Sequence, residues 1–111
     1  MLVEKRLLGQ RGESLAAAVL EQRGYTILEM NYRTRMGEID IVADMEGVIH
    51  FVEVKTRSSG SFGDPEEAVG RTKAGHIRRA AQLYLFKHGL EGREISFDVM
   101  AVEVRHITEC F

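Results

Sequence analysis

The chain has 111 residues, 44% of them hydrophobic and 29% charged, which excludes a fibrous or disordered protein and indicates one domain spanning residues 1–111. Its net charge of −2 at pH 7 argues against the strongly basic surface of a non-specific DNA-binding protein. No apolar run approaches the roughly 18 residues that cross a bilayer, and the lone Cys110 fits a reducing compartment. We therefore expect a cytoplasmic protein without membrane association.

The first predicted element is a helix over residues 9–23. Small and apolar residues recur there at the spacing of one buried helix face. They are Gly12, Leu15, Ala16, Val19 and Leu20. Gly24 is the residue type that most often ends a helix in a left-handed conformation.

Three strands are predicted next. Residues 25–32 are rich in β-forming side chains and predict a strand, which a polar turn at 33–37 closes. Residues 38–43 and 48–55 predict two more strands. The connection between them, residues 44–47, has the length and the late glycine of a hairpin loop, so we expect antiparallel pairing.

The second half of the chain predicts a glycine and serine loop at 58–63, a short helix at 65–69, a longer helix at 71–88 and a final strand at 95–104. Helix, three strands, helix and strand together predict an α/β fold with a mixed sheet. One face of the hairpin strands is expected to be apolar and the other to carry charges. The apolar residues are Ile39, Ile41, Ala43, Val52 and Val54.

Three charged residues, Asp40, Glu53 and Lys55, interrupt these strands. Burying such charges costs several kcal/mol each unless they are paired. Alternate residues of a strand share a face, so Glu53 points the same way as Lys55, and Glu38 the same way as Asp40. Because Mg²⁺ commonly binds one or two carboxylates, hairpin pairing predicts a metal site at Asp40 and Glu53 with an amine beside it. An ion-paired cluster at the sheet edge is the alternative.

Five further residues are candidates for this site. Glu13 lies at the edge of the buried helix stripe, where it either reaches the site or complements the helix dipole as a first-turn acid. Arg33 and Arg35 in the polar turn, and Arg57 beyond Lys55, are candidate phosphate contacts. Lys73 opens a helix, where a cation is unfavourable, and a bound phosphate is one candidate for its partner.

The pattern around Asp40, Glu53 and Lys55 resembles the PD-(D/E)xK nuclease superfamily. More narrowly, it resembles the YraN-like family of uncharacterised predicted endonucleases, related in fold to archaeal Holliday-junction resolvases. Ile39 stands where the superfamily motif has proline, which leaves the acid at position 40 in place. The matching segments, which extend over nearly the whole chain, are Gly12-Glu13, Gly24-Tyr25, Asn31-Tyr32-Arg33, Gly37 to Asp40, Phe51 to Arg57, Phe62-Gly63, Lys73 and Phe97-Asp98-Val99.

This resemblance implies a restriction-endonuclease-like α-β-β-β-α-β core, Mg²⁺ or Mn²⁺ as cofactor, a nucleic-acid substrate and a possible homodimer. It also implies Glu13, Asp40, Glu53 and Lys55 as active-site residues, with the three carboxylates as metal ligands. The expected function is a metal-dependent endonuclease that hydrolyses phosphodiester bonds in DNA, including branched or repair intermediates. The alternatives are a non-catalytic nucleic-acid-binding or scaffold protein with the same fold, and a hydrolase of another phosphate ester.

Overall fold

The computed structural model describes residues 2–57 and 70–111. Its helices and strands follow the predicted α-β-β-β-α-β order. The predicted loop at 58–63 and the short helix at 65–69 lie outside the described residues. The elements are α1 (Leu2–Gln22), β1 (Thr26–Arg33), β2 (Glu38–Met45), β3 (Val48–Arg57), α2 (Arg71–Lys87) and β4 (Glu94–Glu103).

The four strands form one mixed sheet in the order β1-β2-β3-β4. β1 pairs with β2 and β2 with β3 in antiparallel fashion, whereas β3 and β4 are parallel. A parallel pair needs a crossover connection, and α2 lies in the segment that links β3 to β4. The predicted hairpin is confirmed: β2 and β3 are joined through Glu46 and Gly47, whose φ angles of 49° and 89° suit a tight two-residue turn.

Each face of the sheet packs against one helix. The buried cluster on the α2 side contains Ile39, Val42, Ile49, Phe51, Ile77, Ala80, Ala81 and Tyr84. The cluster on the α1 side contains Ala16, Leu20, Ile41, Ala43 and Val52. The prediction of one apolar and one charged face is therefore wrong for most of the length of β2 and β3, because a helix covers each face. Ile39 and Ile41, expected on one face, lie on opposite faces.

Helix α1 begins at Leu2, well before the predicted start, and ends at Gln22. Leu15, expected in the buried face, is 52% exposed. The predicted end is confirmed, because Gly24 has a φ of +96° and the N–H of Tyr25 bonds back to the carbonyl of Leu20 at 3.0 Å. In the part of the chain that the structure describes, no helix combines the length and the apolar character needed to cross a membrane.

Gly12 brings α1 into direct contact with β3. A Cβ built on Gly12 would overlap Oγ1 of Thr56, so only a residue without a side chain allows this approach. Ala16, one turn later, is fully buried against the same face. The contact sets the height of α1 over the sheet and places Glu13 beside the ends of β2 and β3.

Candidate active site

The paired residues of β2 and β3 run from Met45 back to Ile41, so the pairing stops one residue short of Asp40. The last pair of the ladder is Ile41 with Val52, and one further step in the same register places Asp40 opposite Glu53. There the carboxylate of Asp40 takes the place of a backbone acceptor, because its Oδ2 accepts the N–H of Val54 at 2.7 Å. Asp40 and Glu53 are each only 8% exposed, so two neighbouring strands deliver two buried carboxylates to one point.

Asn31 lies beside Asp40 on β1 and was not found by sequence reasoning. Its φ of 52° is the left-handed conformation, which Asn tolerates better than most residues. The Asn31 side chain hydrogen-bonds to Glu13, and this bond lowers the pKa of Glu13 against the other influences on it. On β2, opposite this segment, Ile39 lies on the α2 side of the sheet and Ile41 on the α1 side. An Asn in a strand-like segment was the available signal, since Asn is depleted in strands.

Three of the four carboxylates that line a cleft of about 420 Å³, here called the carboxylate cleft, come from three different elements. Glu13 comes from α1, Asp40 from β2 and Glu53 from β3. The interpretation of Glu13 as a first-turn acid is wrong, because α1 begins at Leu2 and Glu13 lies in its middle. The remaining lining residues are Gly37, Glu38, Lys73, His76 and Ile77.

The electrostatics of the carboxylate cleft show an excess of negative charge. Burial, and then repulsion by Asp40, raise the pKa of Glu53, and a bond to Lys73 only partly offsets them. Burial and repulsion by Asp40 also raise the pKa of Glu13. Glu13 and Glu53 are therefore harder to ionise, first because they are buried and then because Asp40 is near, which is the condition in which an added cation lowers the free energy of the site.

Two lysines stand beside the acids. The Nζ of Lys73 lies 3.0 Å from Oε1 of Glu53. Burial alone would lower the pKa of Lys73, but its hydrogen bond and attraction to Glu53 raise it overall. The pKa of Lys55 is lowered, first by burial and then by the neighbouring charge of Lys73, to which it is hydrogen-bonded. The sequence predicts a partner for the Lys73 ammonium at the start of its helix. In the structure that partner is Glu53, a carboxylate of the cleft.

One oxygen of the carboxylate cleft lacks a partner. The Oε2 of Glu53 is buried and accepts no hydrogen bond from the described residues. Burying an acceptor without a hydrogen-bond partner costs about 1–3 kcal/mol of stability, and more when the group is charged. The three carboxylates line the same cleft, yet within residues 2–57 and 70–111 no three Asp, Glu, His or Cys side chains are close enough together to form a ready-made metal ligand set.

Comparison with known proteins assigns the chain to a family. The model of the family described as "Uncharacterised protein family UPF0102" matches residues 12–102. The chain belongs to this family. Three relatives, each called only a UPF0102 protein, are 52% identical in Moorella thermoacetica, 47% in Syntrophomonas wolfei and 40% in Persephonella marina. These alignments cover 92%, 96% and 93% of this chain and 85%, 98% and 91% of the respective relatives.

The predicted phosphate contacts of this UPF0102 chain lie in different places. Arg33 and Arg35 line a groove that adjoins the carboxylate cleft, whereas Lys73 lies in the cleft. Arg57 is two residues beyond Lys55 on β3, outside the residues that line the cleft and groove, and its carbonyl accepts the N–H of Val104 at 2.9 Å.

Sequence reasoning missed two α2 residues near the site. His76 lines both the cleft and the adjoining groove, and Arg79 lines the groove. Both continue from Lys73 at intervals of three residues, and residues at that spacing are neighbours on a helix surface. The three-residue spacing from Lys73 could have indicated these two residues. Only the packing of α2 against the β1–β2 turn shows that they lie near the site.

Proposed function

We propose that this UPF0102 protein is a divalent-cation-dependent endonuclease of the PD-(D/E)xK superfamily that hydrolyses phosphodiester bonds in DNA. The observation that carries the proposal is the convergence of Glu13, Asp40 and Glu53 in one cleft with the amines of Lys55 and Lys73 beside them. The nuclease-like motif supplies two of these acids and one of these amines from consecutive strands. The other two residues come from the two helices.

The donor set of the cleft fits a hard divalent cation. Its acidic side chains provide oxygen ligands, which Mg²⁺ and Mn²⁺ prefer, and Oε2 of Glu53 is buried with no hydrogen-bond partner in residues 2–57 and 70–111. Asp40 and Glu53 would hold the cation, with Glu13 as the third carboxylate. When bound, such a cation activates water and offsets negative charge on a phosphate.

Other residues of the chain orient the acids, handle the proton of the attacking water and neutralise charge on the phosphate. Asn31 and the N–H of Val54 orient Glu13 and Asp40. The Nζ of Lys55, whose pKa is lowered by burial and by Lys73, would either orient an attacking water or accept its proton. In its ammonium form, Lys55 neutralises charge that develops on the phosphate oxygens.

A cleavage assay tests this function. The purified protein is incubated with duplex, flap, single-stranded and four-way-junction DNA in Mg²⁺, in Mn²⁺ and in chelator. We expect cation-dependent cleavage of at least one form, and its loss in Asp40→Asn and in Lys55→Met while circular dichroism shows both variants folded. Cleavage that survives in Asp40→Asn, or that is absent from the whole panel, contradicts the proposal.

A second candidate function is a nucleic-acid-binding protein that keeps this fold without turnover. It is favoured by the ion pair between Lys73 and Glu53, in which a side chain already supplies a cation, and by the lack of a preformed three-ligand set among the described residues. In that case the wild type binds DNA without cleaving it, and Asp40→Asn binds with equal affinity.

A further inference from the structure

A groove of about 610 Å³ opens directly beside the carboxylate cleft. It carries Arg33, Arg35 and Arg79 and is here called the arginine groove. It shares Gly37, Glu38 and His76 with the carboxylate cleft, so the two depressions form one continuous surface. A polymer lying in the cleft therefore has a direct path into the groove.

The β1–β2 turn forms one wall of the arginine groove and is held by its own hydrogen bonds. The hydroxyl of Thr34 accepts the N–H groups of Met36 and Gly37, each at 3.0 Å. The N–H of Thr34 donates to the carbonyl of Gly37 at 2.9 Å. The turn is thus fixed before any ligand arrives, which reduces the ordering entropy that binding must overcome.

Helix α2 forms the other wall, and the two walls touch. A Cβ built on Gly37 would lie 3.0 Å from both the Cβ and the carbonyl oxygen of His76. The turn and the helix are therefore already in close contact at the junction between the groove and the cleft. This contact fixes the two walls of the groove relative to each other.

The side chains that line the arginine groove carry a net positive charge, whereas those that line the carboxylate cleft carry a net negative charge. Glu38 is the one acid among the described residues that line it, and it lies 3.4 Å from Nε of Arg33. That pair is weak, since its side chains are 76% and 45% exposed. Neither Arg35 nor Arg79 forms an ion pair with the described residues. A local basic surface thus exists on a protein whose net charge is −2.

We propose that the arginine groove binds the phosphates of a nucleic-acid strand on one side of the bond that the cleft would cleave, with Arg79 as a phosphate-binding residue. This inference rests on the proposed function for the position of the scissile phosphate. Arginine is suited to the role because its planar guanidinium matches phosphate oxygens with two parallel hydrogen bonds.

The spacing along α2 fits a polynucleotide. Lys73, His76 and Arg79 follow one another at three-residue intervals on α2. At a rise of about 1.5 Å per residue, Arg79 lies about 9 Å along the helix axis from Lys73. A separation of this size spans at most a few nucleotides of one strand, so the groove lies next to the phosphate that the cleft would hold.

Arg78 supplies a matched control next to Arg79. It is also exposed on α2, but its guanidinium lies over the ring of Phe97, 5.9 Å from the centroid, and lines a largely apolar cavity, bordered by Glu53, instead of the groove. Arg78→Gln and Arg79→Gln remove the same charge from neighbouring positions. Any difference between them therefore reports location and not net charge.

The test measures DNA binding without cleavage. Asp40→Asn protein in chelator is titrated with fluorescein-labelled single-stranded and duplex DNA of about 20 nucleotides over a range of NaCl concentrations. We expect Arg79→Gln in this background to weaken binding about fivefold at low salt and to reduce the slope of log K against log salt by about 1. Arg78→Gln should change affinity less than twofold, and thermal melting should show both variants folded.

Each outcome separates the groove from the nuclease proposal. Equal affinities for the Arg78 and Arg79 variants, or a larger loss in Arg78→Gln, overturn the groove alone, and DNA cleavage by the wild type would then still support the nuclease. A parent protein that binds neither probe in a salt-dependent way overturns the groove, and the cleavage assay on the wild type decides the nuclease separately.

Discussion

The Nζ of Lys73 lies 3.0 Å from Oε1 of Glu53, so the acid proposed to hold a divalent cation is already paired with an ammonium group from α2. The second oxygen of Glu53 is buried and has no hydrogen-bond partner among the described residues. Lys73 therefore stabilises the cleft in the absence of a cation while competing with a cation for the same carboxylate.

Replacement of Lys73 by Met should have opposite effects on cation binding and on turnover. Without the competing ammonium, Mn²⁺ affinity measured by calorimetry should rise about fivefold, the equivalent of about 1 kcal/mol for a partly exposed pair. Cleavage should fall, because an amine beside the phosphate is lost. Lys87→Met, at the far end of α2, is the matched control and should alter neither quantity. Unchanged or weaker Mn²⁺ binding by Lys73→Met would contradict the competition.

Asp40 should show separable structural and chemical roles. Its Oδ2 accepts the N–H of Val54 at 2.7 Å, a bond that an Asn side chain can still accept. We expect Asp40→Asn to unfold in urea within about 1 kcal/mol of the wild type, whereas Asp40→Ala leaves a backbone donor unsatisfied and should lose about 1–3 kcal/mol. Both variants should be inactive. Equal stability of the two would show that the bond to Val54 contributes nothing.

The contact of Gly12 with Thr56 predicts that replacing glycine by alanine has opposite effects on stability at two positions of α1. Gly12→Ala should destabilise the protein by about 1–3 kcal/mol through overpacking. Gly9→Ala, where nothing lies within 4 Å, should stabilise it by up to about 1 kcal/mol through helix propensity. Urea unfolding measures both. Thr56→Ala should recover part of the Gly12→Ala loss, and additive effects in the double mutant would argue against a steric cause.

The pH dependence of stability should report Glu13. Burial and repulsion by Asp40 raise its folded pKa above the unfolded value of 4.5. The folded state therefore holds the proton more tightly, and stability is lost as pH rises through the folded pKa. Glu13→Gln should be more stable than the wild type at pH 8, by less than about 1 kcal/mol because the side chain is partly exposed.

Below pH 4.5, where Glu13 is protonated in both states, that difference should disappear. Thermal melting in chelator measures it, with Glu21→Gln on the exposed side of α1 as the control. A Glu13→Gln variant that is less stable at pH 8, or whose gain persists at pH 4, would contradict the assigned environment.

Local patterns predicted the framework of this protein because local physics determines it. The hairpin followed from a short loop with a late glycine, and the end of α1 followed from Gly24. The position of Glu13 at the edge of the helix stripe anticipated its place in the carboxylate cleft. The early start of α1 was missed because residues 6–8 of the helix, Leu7 among them, are exposed and therefore show no buried face.

Features that depend on packing between distant segments were out of reach. Strict alternation was assumed along β2, but it fails around Asp40, because Ile39 lies on the α2 side of the sheet and Ile41 on the α1 side. The pairing of Lys73 with Glu53 joins α2 to β3, and the position of Arg79 depends on the seat of α2 against the β1–β2 turn. No periodicity within either segment encodes these contacts.

The carboxylate cleft as a cation site is tested most directly by an anomalous difference map from a crystal soaked in Mn²⁺. We predict one strong peak within coordination distance of the carboxylate oxygens of Asp40 and Glu53, with the Lys73 ammonium displaced from Glu53. A map with no peak in the cleft and the ion pair between Lys73 and Glu53 intact would contradict the cation site and, with it, the cation-dependent nuclease.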